Sequence, residues 1–207
     1  MPTITGSSIL NNAEIVLQDT ANARWSRSEL LAWLNDGQRA AVALKPELST
    51  ATAPLQLAAG VTKQAIPSGA LRLLNVTRNM GAAGTTPGAA IRVVDRASLD
   101  AFVPTWHADA NAVGLIQHFI PDAGDPRTFY VYPKAPATAW YVELVTSVPP
   151  TDTNDSGGVI GIGDTYAPAL LSYVLYRAYA KDAEAAACAQ LAASYFAAFR
   201  AEMGVAG

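Results

Sequence analysis

The longest helix-compatible stretch of the chain runs from Asp164 to Met203 and sets the strongest limit on its fold. A single helix of this length would span about 60 Å, which is long for a globular helix without internal caps. We therefore predict an antiparallel helix pair that turns at Lys181–Glu184, with Asp182 starting the second helix. Thr165 is the predicted cap of the first helix, and Pro168 lies in its first turn, where proline removes no helical hydrogen bond.

Apolar side chains recur every three or four residues in both halves of this stretch, as expected for helices with one buried face. Alanine fills most other positions, and small side chains let helices approach closely, within one chain or between copies of it. A single cysteine excludes an internal disulfide, and we predict that it is a small core residue. The predicted buried positions are Leu170, Leu171, Val174, Leu175 and Ala178 in the first helix and Cys188, Leu191, Ala192, Tyr195, Phe196 and Phe199 in the second.

Two more helices are predicted before residue 50. Ser7 or Ser8 caps the first of them, and the second opens with the capping-box pattern Ser26–Glu29. Trp25, just before that cap, is predicted to pack against Leu30 as a hydrophobic staple. The predicted buried positions are Ile9, Ala13, Val16 and Leu17 in the first helix and Leu30, Trp33, Leu34, Ala41 and Leu44 in the second.

From about residue 53 to 150 the pattern changes to short strands separated by glycine-rich and proline-rich turns. The turn sequence 121–126 lies between two of these strands and predicts a hairpin. Residues 95–102 predict one short helix. The strands do not alternate with helices, which argues against a doubly wound nucleotide-binding fold. The predicted strands are 54–57, 61–67, 71–78, 90–94, 114–120, 128–132 and 139–148.

This order of elements predicts an α+β fold. Helices from both ends of the chain form one bundle, and an antiparallel β-sheet or sandwich is inserted between them. The predicted boundaries are 1–50 and 160–207 for the helical bundle and 51–150 for the strand-rich insertion. Residues 151–163, which are polar and rich in glycine, are predicted to be a linker.

Charge and composition narrow the range of functions. Only 15% of the 207 residues are charged, below the roughly 25% of an average soluble domain. Low surface charge is tolerated where other subunits cover the surface, so the composition favours assembly. The formal charge of −3 comes without a basic cluster, which argues against binding nucleic acid by charge attraction. We expect no signal peptide and no membrane-spanning segment.

No established catalytic motif is present, neither G-x-S-x-G, H-E-x-x-H, C-x-x-C nor G-x-x-x-x-G-K. The glycine-rich loop Gly81–Gly88 lacks the lysine of a phosphate-binding loop, so we predict a plain surface loop. Asp152, Asn154, Ser156 and Gly157 match half of a calcium loop. Because glycine stands at position 163 in place of the required glutamate, the preferred interpretation of this segment is a solvated linker.

The remaining candidates for a metal or ligand site are few. His107 and His118, with Asp109 and Asp122 nearby in sequence, form a conceivable metal-ligand set, but we predict ordinary loop and sheet residues. Arg177 lies among tyrosines, and we predict that it stacks on a ring or pairs with a carboxylate of another element, the alternative being a substrate-binding role. We predict no catalytic, cofactor-binding or metal-binding residues and no enzymatic activity. Most of the four tryptophans are expected in the core, and one or two are candidate interface anchors: Trp25, Trp33, Trp106 and Trp140.

Three segments, taken in order, resemble the head-to-tail connector or adaptor proteins of short-tailed bacteriophages, which are similar to tail tubular protein A. Arg24–Ser26 followed by Glu29–Gln38 resembles the second helix of that family. Asp125–Pro133 resembles its central hairpin, and Leu171–Glu184 resembles its penultimate helix. The resemblance covers nearly the whole chain.

This resemblance implies a structural virion protein that forms a ring, with twelve copies expected, between the portal of the capsid and the tail nozzle. The genome would pass through the centre during DNA ejection without specific binding. The implied partners are the portal protein, the nozzle protein, a tail fibre as a further candidate, and other copies of the chain. The helical part is expected to meet the portal and the strand-rich part to face the tail. The implied location is the connector of the virion, after synthesis in the host cytoplasm, with no cofactor and no membrane.

Two other functions remain open from the sequence. One is a head-completion or tail-terminator protein of a long-tailed phage, which would differ in its binding partner. The other is a cellular α+β ligand-binding module or enzyme, which would require a deep pocket with convergent titratable groups. The chain offers two histidines and one cysteine for such a pocket.

Overall fold

The computed structural model describes residues 2–109, 114–182 and 184–205, and the chain divides into two compact units. We call residues 1–49 and 150–207 the helical unit and residues 50–149 the strand unit. Each unit has a hydrophobic core of its own. The fold class is α+β, as predicted.

Five α-helices and seven strands are present in the described residues. The helices are α1 (Gly6–Leu17), α2 (Arg27–Leu44), α3 (Arg96–Phe102), α4 (Ala167–Lys181) and α5 (Ala186–Glu202). The strands are β1 (Thr50–Gln56), β2 (Lys63–Ala65), β3 (Arg72–Gly81), β4 (Arg92–Val93), β5 (His118–Pro121), β6 (Thr128–Tyr132) and β7 (Tyr141–Ser147). Short 3₁₀ turns lie at Pro46–Leu48 and Asp164–Tyr166.

The central element of the helical unit is α4, which packs against α1, α2 and α5. The predicted apolar stripe of α4 is confirmed in its main positions, since Leu170, Val174, Leu175 and Ala178 are at most 2% exposed. Burying each of the three larger side chains stabilises the fold by about 1.5–3 kcal/mol. Leu171 is only half-buried. The predicted cap Thr165 falls inside the 3₁₀ turn, and Pro168 lies in the first turn of α4 as expected.

α4 and α5 form the predicted antiparallel pair, and an aromatic ladder joins them. Tyr173 contacts Phe199, Tyr176 contacts Phe196, and Tyr179 stacks on Tyr195, with ring centroids 5.1, 4.9 and 5.7 Å apart. Residue numbers rise along one helix as they fall along the other, which shows that the two helices run in opposite directions.

The predicted start of the second helix at Asp182 is wrong. Asp182 is the residue that ends α4, and α5 begins at Ala186. The Asp182 carboxylate binds the guanidinium group of Arg24 at 2.7 Å. Because this carboxylate is engaged by a cation from the α1–α2 connection, its role is to hold the end of α4.

The starts of α1 and α2 differ in how well the sequence predicted them. Thr5 caps α1, where Ser7 or Ser8 was predicted, and its hydroxyl accepts a hydrogen bond from the Ser8 backbone N–H. Ser26 caps α2 as predicted, accepting from the Glu29 N–H. The Glu29 carboxylate accepts from Lys181 Nζ at 2.9 Å, which ties α2 to the end of α4.

Two apolar positions predicted to be buried in α1 and α2 face solvent. Val16 is 42% exposed and Leu44 is 41% exposed, while Leu10 and Val42 are buried. Val16 and Leu44 therefore lie outside the buried stripes of α1 and α2. The other positions predicted for α1 and α2 are buried.

Segment 150–163, which includes the predicted solvated linker 151–163, packs into the helical unit. Ile160 and Ile162 are fully buried in its core, and Thr153 is 4% exposed. The Ile160 N–H donates to the Ile4 carbonyl, so the segment also pairs with the beginning of the chain. The glycines of this segment suggested a linker, whereas the signal for burial is the pair of apolar residues at alternate positions, Ile160 and Ile162.

The strand unit contains two sheets. One has the order β1-β7-β3 and is antiparallel, and the other has the order β2-β6-β5-β4. The β5–β6 hairpin is present as predicted. β4 and β5 pair in parallel, whereas antiparallel pairing was predicted. A parallel pair requires a long crossover, and the connection from β4 to β5, which carries α3, supplies it.

β1 and β7 are the strands at which the chain enters and leaves the strand unit. Thr50 at the start of β1 pairs with Ser147 at the end of β7. The insertion therefore begins and ends at two neighbouring strand ends. Its main core is formed by apolar side chains from both sheets, among them Val76, Phe119, Phe129, Val131, Val142 and Leu144.

Candidate assembly surfaces

The motif Asn35–Gln38 in the middle of α2 contains three residues that are unfavourable inside a helix, Asn35, Asp36 and Gly37, and each residue of the motif has a structural partner. The side-chain amide of Asn35 bonds both the N–H and the carbonyl of Thr153, at 2.9 and 3.2 Å. The Gln38 side chain accepts a hydrogen bond from the Gly161 N–H and donates one to Asn35. These two buried amides hold segment 150–163 against α2.

The other two residues of this motif bring α4 close to α2. At Gly37 an added Cβ would lie 3.0 Å from the ring of Tyr173. The Asp36 carboxylate pairs with Arg39 at 3.0 Å and with Arg177 at 3.6 Å. The motif therefore holds α2 against two neighbours, segment 150–163 and α4.

Ion pairs from α2 reach the same segment 150–163. Arg27 binds Asp155 at 2.7 Å and Glu14 at 2.6 Å, and Arg39 binds Asp152 at 2.6 Å. The hydrogen bond from Arg27 lowers the pKa of the Asp155 carboxyl. Of the residues that match half of a calcium loop, Asp152 thus binds an arginine, and the Asn154 side-chain oxygen accepts from backbone N–H groups of the same turn.

Arg177 has the structural role that was predicted for it. Its guanidinium group lies 3.6 Å from the Asp36 carboxylate and 5.9 Å from the ring centroid of Trp33. Both partners belong to α2, so the tyrosines of α4 are not its ring partners. A cation held between an aromatic face and a carboxylate stabilises the contact between these two helices.

The residues considered for a metal site lie in separate environments. His107 stacks on Trp106 with centroids 3.6 Å apart, and its Nδ1 is 2.8 Å from the Thr62 hydroxyl. His118 stacks on Tyr132, and its Nδ1 has no hydrogen-bond partner. Asp122 pairs with Lys63, and Asp109 accepts from Thr105. Within residues 2–109, 114–182 and 184–205, no group of three His, Cys, Asp or Glu residues is placed to hold a metal ion.

The loop Gly81–Gly88 folds back on β3. The Gly88 N–H donates to the Asn79 carbonyl, and the Thr86 N–H donates to the Met80 carbonyl. Gly84 adopts a φ of +73° against the ring of Tyr141. These hydrogen bonds make it a structural turn, in agreement with the prediction of a plain surface loop.

The tryptophans and the cysteine are largely structural. Trp25, Trp33 and Trp106 are at most 8% exposed, and Trp140 is half-buried. Sequence reasoning missed Asn79, which is 1% exposed and bonds Trp140 Nε1 together with backbone groups of residues 89 and 116. Cys188 is half-buried, so it is not the core residue that was predicted.

The outer face of α5 is the most unusual surface of the helical unit. Residues 186–199 contain no charged side chain, yet only Ala192 and Phe199 among them are buried. Leu191 and Phe196 were predicted to be buried and are 42% and 39% exposed. An exposed helical surface that is uncharged over this length is normally covered by another element or by another subunit.

α1 also exposes only uncharged side chains. Ile15 is 65% exposed and Val16 is 42% exposed near its C-terminal end. The other exposed side chains are Ser8, Asn11 and Asn12, while the single charged residue of the helix, Glu14, is buried beside Arg27. The helical unit therefore has two uncharged helical surfaces.

No helix within the described ranges combines the length and the apolar character that crossing a bilayer requires. The fold is α+β. The polar residues of the α2 motif and Arg177 hold the helical unit together, and the two uncharged helical surfaces suit contact with other proteins.

Residues 4–206 match the family model described as SU10 adaptor protein. The chain belongs to this family, and it is a structural adaptor protein of a phage virion that interacts with other virion components. No curated protein sequence matches it.

Proposed function

We propose that this protein forms a ring between the portal vertex of the capsid and the tail nozzle of a short-tailed phage. The observation that carries the proposal is the exposed, uncharged face of α5 in a chain that belongs to an adaptor family. Such a face is stable in an assembly where a neighbouring copy removes it from water, since apolar burial contributes about 25 cal/mol per Å². Twelve copies are expected by resemblance to connector rings.

The charge distribution supports a role beside DNA in transit. The helical unit contains eleven Asp or Glu and seven Lys or Arg residues, and the strand unit contains six and seven. Among the residues that the structure describes, these cations of the helical unit form ion pairs with carboxylates: Arg24, Arg27, Arg39, Arg177 and Lys181. Because phosphate affinity grows with each available Lys or Arg, a wall whose cations are already paired lets DNA slide.

The attachment of segment 150–163 to α2 supports a structural role for the helical unit. Two buried amides and two ion pairs from α2 hold this segment in place. The helical unit is thereby fixed at the point where the chain returns from the strand unit. We propose that the helical unit meets the portal and that the strand unit faces the tail.

Binding to purified portal rings tests this function. The protein is mixed with the portal of its own phage, and the products are imaged by electron microscopy, with the nozzle protein added in a second arm. We expect an added ring on the portal that recruits the nozzle protein. A ring that recruits a tail-tube protein instead would support the head-completion alternative, and a protein that binds no portal would contradict the proposal.

A further inference from the structure

α5 is packed unevenly along its length. Its second half and the residue after it, residues 195–203, contribute Phe199 and Met203 to the core of the helical unit and carry the α5 rings of the aromatic ladder. In the first part of the helix, residues 186–191, no side chain is fully buried, and all but Cys188 are exposed. Packing therefore holds the end of α5 more firmly than its start.

The start of α5 also lacks the side-chain cap that α1, α2 and α3 have. Thr5, Ser26 and Asp95 each accept a hydrogen bond from a backbone N–H at the start of their helix. Ala185 holds the corresponding position before α5, with the extended backbone of a cap residue, but its side chain has no acceptor. No acidic residue lies in the first turn. The first N–H groups of α5 are therefore left to water.

Firmly held residues border this start on both sides. Asp182 at the end of α4 binds Arg24 at 2.7 Å, and Lys181 binds Glu29 at 2.9 Å. On the other side, Ala192 is 6% exposed and begins the packed part of α5. The weakly held stretch is therefore confined to less than two helical turns.

We propose that the uncapped residues 186–191 unwind and re-form locally in the folded protein, with Ala192 as the hinge, while residues 195–203 stay packed. Alanine has the highest helix propensity, so the closed helix remains the main form. A helix of so few residues has little stability of its own in water, and its exposed side chains add little by packing. The open form is therefore reached far more easily than global unfolding.

Local opening divides the uncharged surface of α5 into two parts. Leu191, which is 42% exposed, belongs to the part that opens, and Phe196, which is 39% exposed, belongs to the part that stays packed. The first part changes conformation without disturbing the core, as is typical of segments that adapt to a partner, and the second part presents a fixed surface. Opening is a property of the single chain, so it holds whether or not the protein binds a portal.

Amide hydrogen exchange resolved by NMR tests the proposal on the natural chain. Leu191 is the sixth residue of α5, and Ala32 is the sixth residue of α2, so the comparison removes the fraying that every helix end shows. After correction for intrinsic rates, we expect the Leu191 N–H to exchange about tenfold faster, or more, than those of Ala32 and Phe199.

A variant with a cap tests the cause of the opening. Ala185→Ser supplies at α5 the hydroxyl that Ser26 supplies at α2, so the exchange of Leu191 should slow by about threefold or more, while that of Phe199 stays the same. Ala185→Val is the matched control, because it changes the same exposed position without adding an acceptor, and it should not slow the exchange of Leu191.

Three results would overturn the proposal. Equal protection of Leu191 and Ala32 would show that the start of α5 is held as firmly as that of α2. A common exchange rate for Leu191 and Phe199 would show that α5 opens only as a whole. Equal effects of the serine and valine variants would show that the missing cap does not cause the opening.

Discussion

Single residues that look unfavourable inside a helix mark the contacts that hold the helical unit together. Asn35 and Gly37 lower the helix propensity of α2, yet Asn35 bonds Thr153 and Gly37 makes room for Tyr173. The sequence showed that these residues belong to a motif that resembles an adaptor family. It did not show which contact each residue makes, because Asn35 and its partner Thr153 are 118 positions apart. Such a contact becomes visible only when the fold brings the two segments together.

Gly161→Ala is expected to destabilise the protein by about 1–3 kcal/mol, the usual cost of overpacking. An added Cβ would lie 2.5 Å from the Thr151 carbonyl oxygen and 2.9 Å from its backbone nitrogen, and backbone atoms cannot move aside cheaply. Urea unfolding measures the change. Gly69→Ala is the control, since its Cβ would meet nothing within 4 Å and its stability should stay near that of the natural chain.

Acid is expected to destabilise the protein partly through Asp19. Hydrogen bonds from the backbone N–H groups of Trp25, Arg24 and Ala23 hold the pKa of this carboxyl below its ordinary value of 3.8. Because the folded-state pKa is the lower one, the stabilisation is present above pH 3.8 and is lost as the pH falls through the folded pKa. Asp19→Asn should lower stability at pH 7 and flatten its loss between pH 5 and about 2, measured by urea unfolding. Parallel profiles for the two proteins would contradict this account.

At the scale of elements, the sequence predicted which segments are helices and strands better than which faces they bury. Apolar periodicity located α1, α2, α4 and α5, and turn residues located the β5–β6 hairpin. Val16, Leu191 and Phe196 were nevertheless placed in the core and are exposed. Periodicity shows that a side chain is apolar at a helical spacing, and it cannot tell a core from a surface that another copy covers.

The parallel pairing of β4 with β5 was also beyond the sequence. Each strand has a local signal, but the choice of partner depends on the long connection that carries α3. Segment 150–163 shows the same limit, because its glycines suggested a linker, while Ile160 and Ile162 are fixed in the core by contacts with the helices.

A charge at the centre of α4 and a charge on the face of α5 are expected to have opposite consequences. Leu175 is 2% exposed, so Leu175→Asp buries an unpaired carboxylate and should abolish soluble folded protein. Leu191 is 42% exposed, so Leu191→Asp should yield soluble protein with a melting temperature near that of the natural chain. Expression yield and thermal melting followed by circular dichroism check both variants. A normally folded Leu175→Asp protein would show that the core of the helical unit is misplaced.

At the scale of the whole molecule, the order of elements and the surface chemistry carry the functional conclusion. Helices from both ends of the chain form one unit, and the strands between them form another, as the sequence predicted. Of the residues considered for a metal site, His107 and Asp152 bond other parts of the chain and His118 stacks on Tyr132, and α1 and α5 expose uncharged surfaces. The sequence alone could not predict where those surfaces lie, because the exposure of a side chain depends on the folded chain.

The mass of the complex that this protein forms with purified portal tests the central claim most directly. Native mass spectrometry counts the adaptor copies on each portal ring. The account predicts a single closed species with twelve copies of the chain, one for each subunit of a twelve-fold ring. A protein that remains monomeric beside the portal, or binds it in variable numbers without closing, would contradict the account.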